Sequence, residues 1–305
     1  MNDPVGAETI EFKLNGDTIS AFAGETIIQA ASRHGVDIPH LCYKEGYRAD
    51  GNCRACMVEI KGERVLAPSC CRAPAQAMEV QSNSPRAIHS QKMVVELLLA
   101  DVPTQDLKPG SNELFYWAEA LGVAHGRFEA RAQPKRDVSH PAMDVNLDAC
   151  IQCTRCVRAC REEQVNDVIG YAFRGPDSKI VFDLDDPMGA STCVACGECV
   201  QACPTGALAP AKQAYAVVAD KTVDSVCPYC GVGCQLTYHV KDNAIVRVDG
   251  RDGPSNHERL CVKGRFGFDY VTHPQRLTKP LIRKQGVGKA AAFTMDPTRW
   301  SDVFR

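Results

Sequence analysis

The sequence predicts an α+β protein made of several small domains along one chain. All 17 cysteines of the 305-residue chain fall into four bunches, over residues 42–71, 150–160, 193–203 and 227–261. Alternating, strand-like patterns accompany the first and last bunches, whereas helical periodicity dominates the cysteine-free stretch 83–145. Cysteines used as small core hydrophobes would be scattered along the chain. The bunches therefore indicate ligand sets.

The composition narrows the functional classes. A net charge of −2 at pH 7 gives no global indication of binding to nucleic acid or to an anionic membrane. The longest apolar run, VVELLLA at 94–100, is far too short to cross a bilayer. The N-terminus has no basic stretch followed by an apolar run, so no secretory signal is predicted. We expect a cytoplasmic, reducing setting, where clustered thiols are metal ligands more often than disulfides.

The N-terminal segment combines a hairpin, a helix and the first bunch of cysteines. The stretch TIEFKLNGDTISAF (9–22) alternates about an Asn-Gly turn, which predicts a β-hairpin. The stretch ETIIQAASRHG (25–35) predicts a one-faced helix closed by Gly35. A second hairpin, MVEIKGERVLAPSCC, follows and ends in Cys70 and Cys71.

This segment resembles the β-grasp [2Fe-2S] ferredoxin fold, in the form found at the N-terminus of the large subunit of respiratory NADH dehydrogenase. Its Cys-x10-Cys-x2-Cys-x13-Cys spacing departs from the plant-type Cys-x4-Cys-x2-Cys. The resemblance implies a [2Fe-2S] domain over residues 1–82, in which Gly51 lets backbone N–H groups approach the cluster sulfides. The x13 spacing favours Cys70 over Cys71. The implied ligands are Cys42, Cys53, Cys56 and Cys70.

Residues 83–145 are predicted to form a helical spacer. The stretches QKMVVELLLAD and NELFYWAEALGV have the periodicity of amphipathic packing helices. In the related NADH dehydrogenase subunit, a histidine and three cysteines usually hold a further cluster in this region. Because this stretch contains no cysteine, His89 is expected to lie on an ordinary helix.

The second and third bunches repeat one pattern. CIQCTRCVRAC (150–160) and CVACGECVQACP (193–204) both follow Cys-x2-Cys-x2-Cys-x3-Cys. This is the run of bacterial two-cluster ferredoxins, in which the fourth cysteine of each run ligates the other [4Fe-4S] cluster. A tight loop can wrap three corners of a cubane, and the fourth ligand must come from a differently directed segment. A two-cluster domain is predicted over 146–212. The predicted ligands are Cys150, Cys153, Cys156 and Cys203 for one cluster, and Cys193, Cys196, Cys199 and Cys160 for the other.

A pair of zinc sites is the alternative, because four-cysteine zinc sites also use Cys-x2-Cys. Zinc, however, takes two pairs of cysteines, whereas each run here offers three in one loop and a distant fourth. The duplication repeats this unusual feature. The pattern therefore favours iron–sulfur clusters, and a zinc-stapled interaction scaffold without a redox role is the remote alternative.

The last bunch is CPYCGVGC (227–234) with Cys261 after a predicted hairpin (235–251). This set, followed by VKGRFG, resembles the N-terminal cluster domain of molybdenum or tungsten bis-pterin enzymes, and formate dehydrogenases in particular. The resemblance implies a small β domain with one [4Fe-4S] cluster over 220–276, and it places Lys263 between that cluster and a pterin. The implied ligands are Cys227, Cys230, Cys234 and Cys261.

Taken together, residues 8–284 resemble the N-terminal part of the large subunit of cytoplasmic NAD-dependent formate dehydrogenases. The resemblance implies formate oxidation to CO2 at a molybdenum or tungsten bis-pterin guanine dinucleotide. Single electrons would then pass through the four clusters to flavin- and NAD-binding partner subunits that have iron–sulfur clusters of their own.

Residues 277–305 are expected to connect to a catalytic domain that this chain lacks, namely the remainder of the large subunit. The chain is therefore expected to hold the electron-transferring clusters and no catalytic residue. By itself it is expected to show no formate oxidation. The main alternative is the iron–sulfur subunit of another NAD-linked reductase or hydrogenase without a pterin.

Overall fold

The computed structural model describes residues 9–211, 214–283 and 295–297. Contacts divide the chain after Phe266 into two compact units. The first unit contains all four bunches of cysteines. In the described part of the chain, no helix is long and apolar enough to cross a membrane.

The predicted N-terminal hairpin and helix are confirmed. Strands β1 (Thr9–Leu14) and β2 (Asp17–Phe22) are antiparallel, and the two residues of the turn between them, Asn15-Gly16, both have positive φ. This is the backbone of the type I′ turn that Asn-Gly favours. Helix α1 (Ile27–Arg33) follows, and Gly35 after it has the left-handed φ of +74° that commonly ends a helix.

Three more strands complete a mixed sheet around this hairpin. They are β3 (Met57–Ile60), β4 (Ala67–Pro68) and β5 (Glu79–Gln81). The strand order is β2-β1-β5-β3-β4, with β1 parallel to β5 and β3 antiparallel to β5. The sheet and α1 enclose an apolar core that includes Phe12, Leu14, Ile27, Val58 and Val80. A mixed sheet with one helix packed on it is consistent with the predicted β-grasp fold.

The two predicted helices of the spacer are confirmed as α2 (Pro85–Asp101) and α3 (Glu113–Leu121). The exposed His89 lies on α2, as expected. The Gln91 side-chain amide donates to the backbone carbonyls of Met57 and Ser82, at 3.0 Å each, and thereby attaches α2 to the first sheet. Both helices share one core with the cysteine loops on either side, formed by Leu41, Cys42, Ala55, Val95, Leu114, Trp117, Ala118, Ile151 and Cys153. The segment is therefore a packing layer between those loops.

The duplicated cysteine runs lie among very short elements. Helix α4 (Arg155–Arg158) continues into a π-helical turn, and α5 (Glu198–Ala202) occupies the corresponding place in the second run. Two antiparallel strand pairs surround them: β6 (Met143–Val145) with β9 (Leu208–Pro210), and β7 (Ile169–Ala172) with β8 (Lys179–Phe182).

The last part of the first unit is a three-stranded antiparallel sheet. The predicted hairpin is confirmed as β11 (Gln235–Lys241) and β12 (Ala244–Gly250), which turn at Asp242 and Asn243 with φ of 48° and 61°. A strand that the sequence pattern did not predict, β10 (Lys221–Val226), pairs with the other edge of β11. Helix α6 (Val262–Phe266) follows Cys261.

The second unit begins at Gly267. It contains a 3-10 turn over Asp269–Val271 and the antiparallel pair β13 (Leu281–Arg283) and β14 (Met295–Pro297). The predicted connector, residues 277–305, therefore includes a strand pair. Much of that connector lies outside the described residues.

Candidate metal centres

The first four-cysteine set converges in the loop between α1 and β3 and in the turn after β4. The Cys42 thiol lies beside those of Cys53 and Cys70, and the Cys56 thiol lies beside that of Cys70. Interaction with these neighbouring thiols lowers the pKa of Cys42 and of Cys56 and raises the pKa of Cys53 and of Cys70. Thiols bind metal as thiolates, so this set would release protons on binding a metal.

Cys70 and Cys71 differ sharply in burial. The Cys70 residue is fully buried beside Cys42 and Cys56, whereas Cys71 is exposed. The second hairpin was predicted to extend to these two cysteines, and this is wrong, because both lie in the turn that follows β4. Gly51 lies next to this turn with a φ of +63°, and a Cβ there would come within 2.8 Å of the Cys71 Sγ. Another residue there would be strained by the positive φ and would have to displace the Cys71 sulfur.

We expect Cys70→Ser to abolish or reshape the EPR signal of a [2Fe-2S] cluster and Cys71→Ser to leave it unchanged. The reason is burial: Cys70 is buried beside the Cys42 and Cys56 thiols, and a serine hydroxyl is a poorer ligand for iron than a thiolate. Low-temperature EPR of the dithionite-reduced chain measures this. The reverse result would make Cys71 the ligand.

The duplicated runs form two separate cavities, each lined by four cysteines. Three cysteines of the first run share a cavity with the last cysteine of the second run, Cys203. Three cysteines of the second run share the other cavity with Cys160 of the first. These are the two crossed sets that the ferredoxin-type spacing predicts: Cys150, Cys153, Cys156 and Cys203, and Cys193, Cys196, Cys199 and Cys160.

The two loops have the same backbone. Gln152 and Thr154 in the first run have φ of 55° and 58°, and the corresponding Ala195 and Gly197 in the second have φ of 56° and 72°. Left-handed residues of this kind are costly unless they are glycine, and they persist where surrounding structure requires them. Here they curl each loop so that its cysteines face one space.

Burial dominates the chemistry of these thiols. It raises the pKa of Cys150 to about 11 and that of Cys153 to about 12, and it raises the pKa of Cys156 and of Cys199 well above the usual value. Backbone N–H groups are directed at some of the sulfurs, such as that of Val168 at 3.4 Å from the Cys160 Sγ. Donors of this kind stabilise the charge on a metal-bound thiolate.

The fourth set lies at the start of β11 and before α6, and it is the most exposed of the four. Cys230 and Cys261 are exposed, and Cys227 and Cys234 are half-buried. Burial raises the pKa of Cys234, and the negative charge of the other three cysteines adds to the effect, so the four thiols are neighbours. Lys263 is exposed on α6.

Each set consists of sulfur donors, which suit iron–sulfur clusters. In the two cavities the thiols line an open space. Within the described ranges, no group of three or more Cys, His, Asp or Glu side chains is arranged to hold one metal ion.

Buried charges that the sequence analysis missed connect the cysteine loops. Glu198 is 2% exposed, and it accepts hydrogen bonds from the Tyr47 hydroxyl at 2.7 Å and from Arg265 at 3.2 Å. Arg265 also donates to the carbonyl of Cys196, so that α6 is bonded to the second ferredoxin-type loop. The Lys108 ammonium donates to the carbonyl of Cys203 at 2.7 Å. Glu198 lies between Cys196 and Cys199. A charged residue between two closely spaced cysteines was the sequence signal that could have indicated this buried carboxylate.

Three domain families match successive parts of the chain. The "2Fe-2S iron-sulfur cluster binding domain" matches residues 7–85. The "NADH-quinone oxidoreductase subunit 3, ferredoxin-like domain" matches residues 140–209. The "Molybdopterin oxidoreductase Fe4S4 domain" matches residues 220–273. The chain thus consists largely of iron–sulfur domains.

Similar proteins include subunits of several oxidoreductases. A subunit of an NADH-quinone oxidoreductase of Rhizobium meliloti (strain 1021) is 34% identical over 96% of this chain and 34% of its own length. The alpha subunit of NADPH-Fe(3+) oxidoreductase of Geobacter sulfurreducens is 31% identical over 90% of this chain and 33% of its own. A Staphylococcus haemolyticus (strain JCSC1435) protein with a provisional formate dehydrogenase name is 27% identical over 90% of this chain and 32% of its own length. The chain thus spans about a third of the length of these relatives.

A solved structure is also similar. It is a chain of an NAD+-reducing [NiFe]-hydrogenase in the H2-reduced state, with a TM-score of 0.62 and 28% sequence identity. The match covers 67% of this chain and 88% of the hydrogenase chain.

Proposed function

We propose that this chain, built from three iron–sulfur domain families, binds one [2Fe-2S] and three [4Fe-4S] clusters and carries electrons within an NAD(H)-linked oxidoreductase. The observation that carries the proposal is the pair of cavities, each lined by three cysteines of one run and one of the other. Clusters of this kind supply one-electron transfer, at potentials that the protein tunes through burial and hydrogen bonds to sulfur.

The residues of this chain would hold and insulate the clusters. Cys42, Cys53, Cys56 and Cys70 would hold the [2Fe-2S] cluster, and the two crossed sets would each hold a [4Fe-4S] cluster. The buried sets exclude water, because most of their residues lie in apolar cores. The exposed set of Cys227, Cys230, Cys234 and Cys261 would hold the last cluster at the surface of the unit, where a further part of the protein could approach it.

Within that function we propose formate as the substrate of the whole protein. The match of residues 220–273 to a molybdopterin oxidoreductase domain and the relative with a formate dehydrogenase name support this. A molybdenum or tungsten bis-pterin would require residues beyond this chain, with Lys263 as the one candidate contact here. Its exposure beside Cys261 fits that role, because its ammonium can reach an anionic group outside the unit. Electrons would leave through flavin- and NAD-binding partner subunits.

A second candidate is the iron–sulfur subunit of an NAD-linked hydrogenase. The similarity to the NAD+-reducing hydrogenase chain favours it. The complex purified from its native cells distinguishes the two, because only one of formate and H2 should drive NAD+ reduction. Reduction with H2 and not with formate would replace formate with the hydrogenase function.

The cluster content can be tested on the chain alone, purified without oxygen. We expect a brown protein whose iron and acid-labile sulfide match one [2Fe-2S] and three [4Fe-4S] clusters, with EPR signals from each on graded reduction by dithionite. A colourless protein containing zinc would contradict the proposal and support the zinc scaffold.

A further inference from the structure

A buried arginine joins the loop of the first cysteine set to the loop of the second. Arg158 lies in α4 with 2% of its side chain exposed. Its Nη2 donates to the backbone carbonyl of Cys42 at 2.6 Å and to that of Cys153 at 3.2 Å. The same nitrogen thus contacts one residue from each of two proposed cluster sites.

The other two guanidinium nitrogens lie beside Arg48 and Asp50. Nη1 donates to the carbonyl of Arg48 at 2.5 Å, and Nε lies 3.6 Å from the Asp50 carboxylate. Asp50 also pairs with Arg48 and accepts a hydrogen bond from Thr154. Its negative charge is therefore shared, and it does not fully cancel the positive charge of Arg158. A guanidinium keeps its charge at any ordinary pH. A positive charge is therefore fixed between the two cysteine loops.

The second cysteine run shows that this contact is not a general property of the motif. Gln201 occupies the position that corresponds to Arg158. Its side-chain amide donates to the carbonyls of Gly250 and Glu258, at 3.2 Å each, and not to a cysteine. At this position of the motif, the positive charge is thus present in the first run and absent from the second. Burying it costs free energy, which a neutral residue would avoid.

We propose that Arg158 is a positioning residue that links the [2Fe-2S] site to the neighbouring [4Fe-4S] site and raises the reduction potential of both. The inference rests on the proposed function, because it requires clusters at both sites. A fixed positive charge that donates to the ligand backbone favours whichever state of a cluster carries the extra electron. Transfer between the two sites involves one electron, and it requires neither proton transfer nor the making or breaking of a bond.

The test is a redox titration of the full, cluster-loaded chain, followed by EPR. We expect Arg158→Gln to shift both potentials in the negative direction, by about a tenfold change in the reduced-to-oxidised ratio, or about 59 mV for a one-electron couple. The EPR signal that disappears in Cys153→Ser is assigned to the [4Fe-4S] cluster next to Arg158. The cluster of Cys193, Cys196, Cys199 and Cys160 is the internal reference and should not shift.

Arg48→Gln is the matched control. Arg48 lies at the same junction and pairs with Asp50 and Glu162, but its side chain is 60% exposed and contacts no cysteine carbonyl. We expect it to leave both potentials unchanged. Equal shifts in Arg48→Gln and Arg158→Gln would contradict a specific role for Arg158.

Arg158→Lys keeps the positive charge but loses the planar guanidinium, whose N–H groups donate to several acceptors at once. We expect shifts of the same sign but smaller, about threefold in the ratio, and this variant decides the question if Arg158→Gln does not assemble its clusters. Unchanged potentials, or a shift at one site only, would overturn the inference. A wild-type chain without clusters would instead overturn the proposed function.

Discussion

Removal of iron is expected to unfold residues 146–266 and to leave the N-terminal sheet largely folded. Helix α4 has four residues and α5 five, and the strand pairs around them have three or four residues per strand. Isolated helices below about 12 residues and two-stranded ribbons are marginal in water. The core of this region also includes the thiols of Cys156, Cys160, Cys199 and Cys203. The free energy of cluster binding is therefore part of the free energy of folding.

Near-UV circular dichroism and limited proteolysis of chain produced without iron measure this. Cuts should concentrate between residues 146 and 266. The N-terminal sheet is the internal control, because five strands and α1 bury an apolar core around Phe12, Ile27 and Val80. A compact apo chain that resists protease throughout would contradict the prediction.

The buried ion pair of Arg265 and Glu198 is expected to contribute strongly to the stability of the first unit. Both side chains are 3% exposed or less, and Arg265 also donates to Gln201 at 2.6 Å. Arg265→Met would leave the Glu198 carboxylate buried, with the Tyr47 hydroxyl as its remaining side-chain partner among the described residues. Removing one member of a buried pair typically costs about 3–5 kcal/mol. We expect a loss of that size in the free energy of unfolding.

The matched control is Lys241→Met. Lys241 and Asp220 form an ion pair of 2.6 Å, but both side chains are more than 40% exposed. Exposed pairs contribute about 0–1 kcal/mol. Urea unfolding of the two variants without oxygen, followed by visible absorbance and far-UV circular dichroism, compares them. A Lys241→Met loss as large as that of Arg265→Met would show that burial does not set the effect.

The local elements could be predicted because the signals for them lie within a few residues. The Asn15-Gly16 turn, the helix ending near Gly35 and the hairpin within 235–251 all form where the pattern indicated. The unpredicted β10 shows the limit of this reasoning. Its burial pattern is nearly all exposed, so it carries no alternation, and it becomes a strand only because β11 offers a free edge.

The choice between Cys70 and Cys71 depends on packing as well as on sequence spacing. The x13 spacing favoured Cys70 by resemblance, but the second hairpin ends before the two cysteines that it was predicted to include. The two cysteines lie in one turn, and burial against the Cys42 loop separates them. Alternation along a strand could not have decided between them, because the turn has no such alternation.

The amino-acid sequence by itself determined the four bunches of cysteines and the crossed grouping predicted for the duplicated runs, because the spacing within a loop limits how much of a cluster that loop can wrap. The tertiary structure decided how the sets are joined. Arg158 reaches Cys42 across 116 residues of chain, and Lys108 reaches Cys203 across 95. The helices of the predicted spacer became a shared core for the same reason. No spacing rule contains such contacts, since each exists only once separate segments have packed and excluded water from the charges between them.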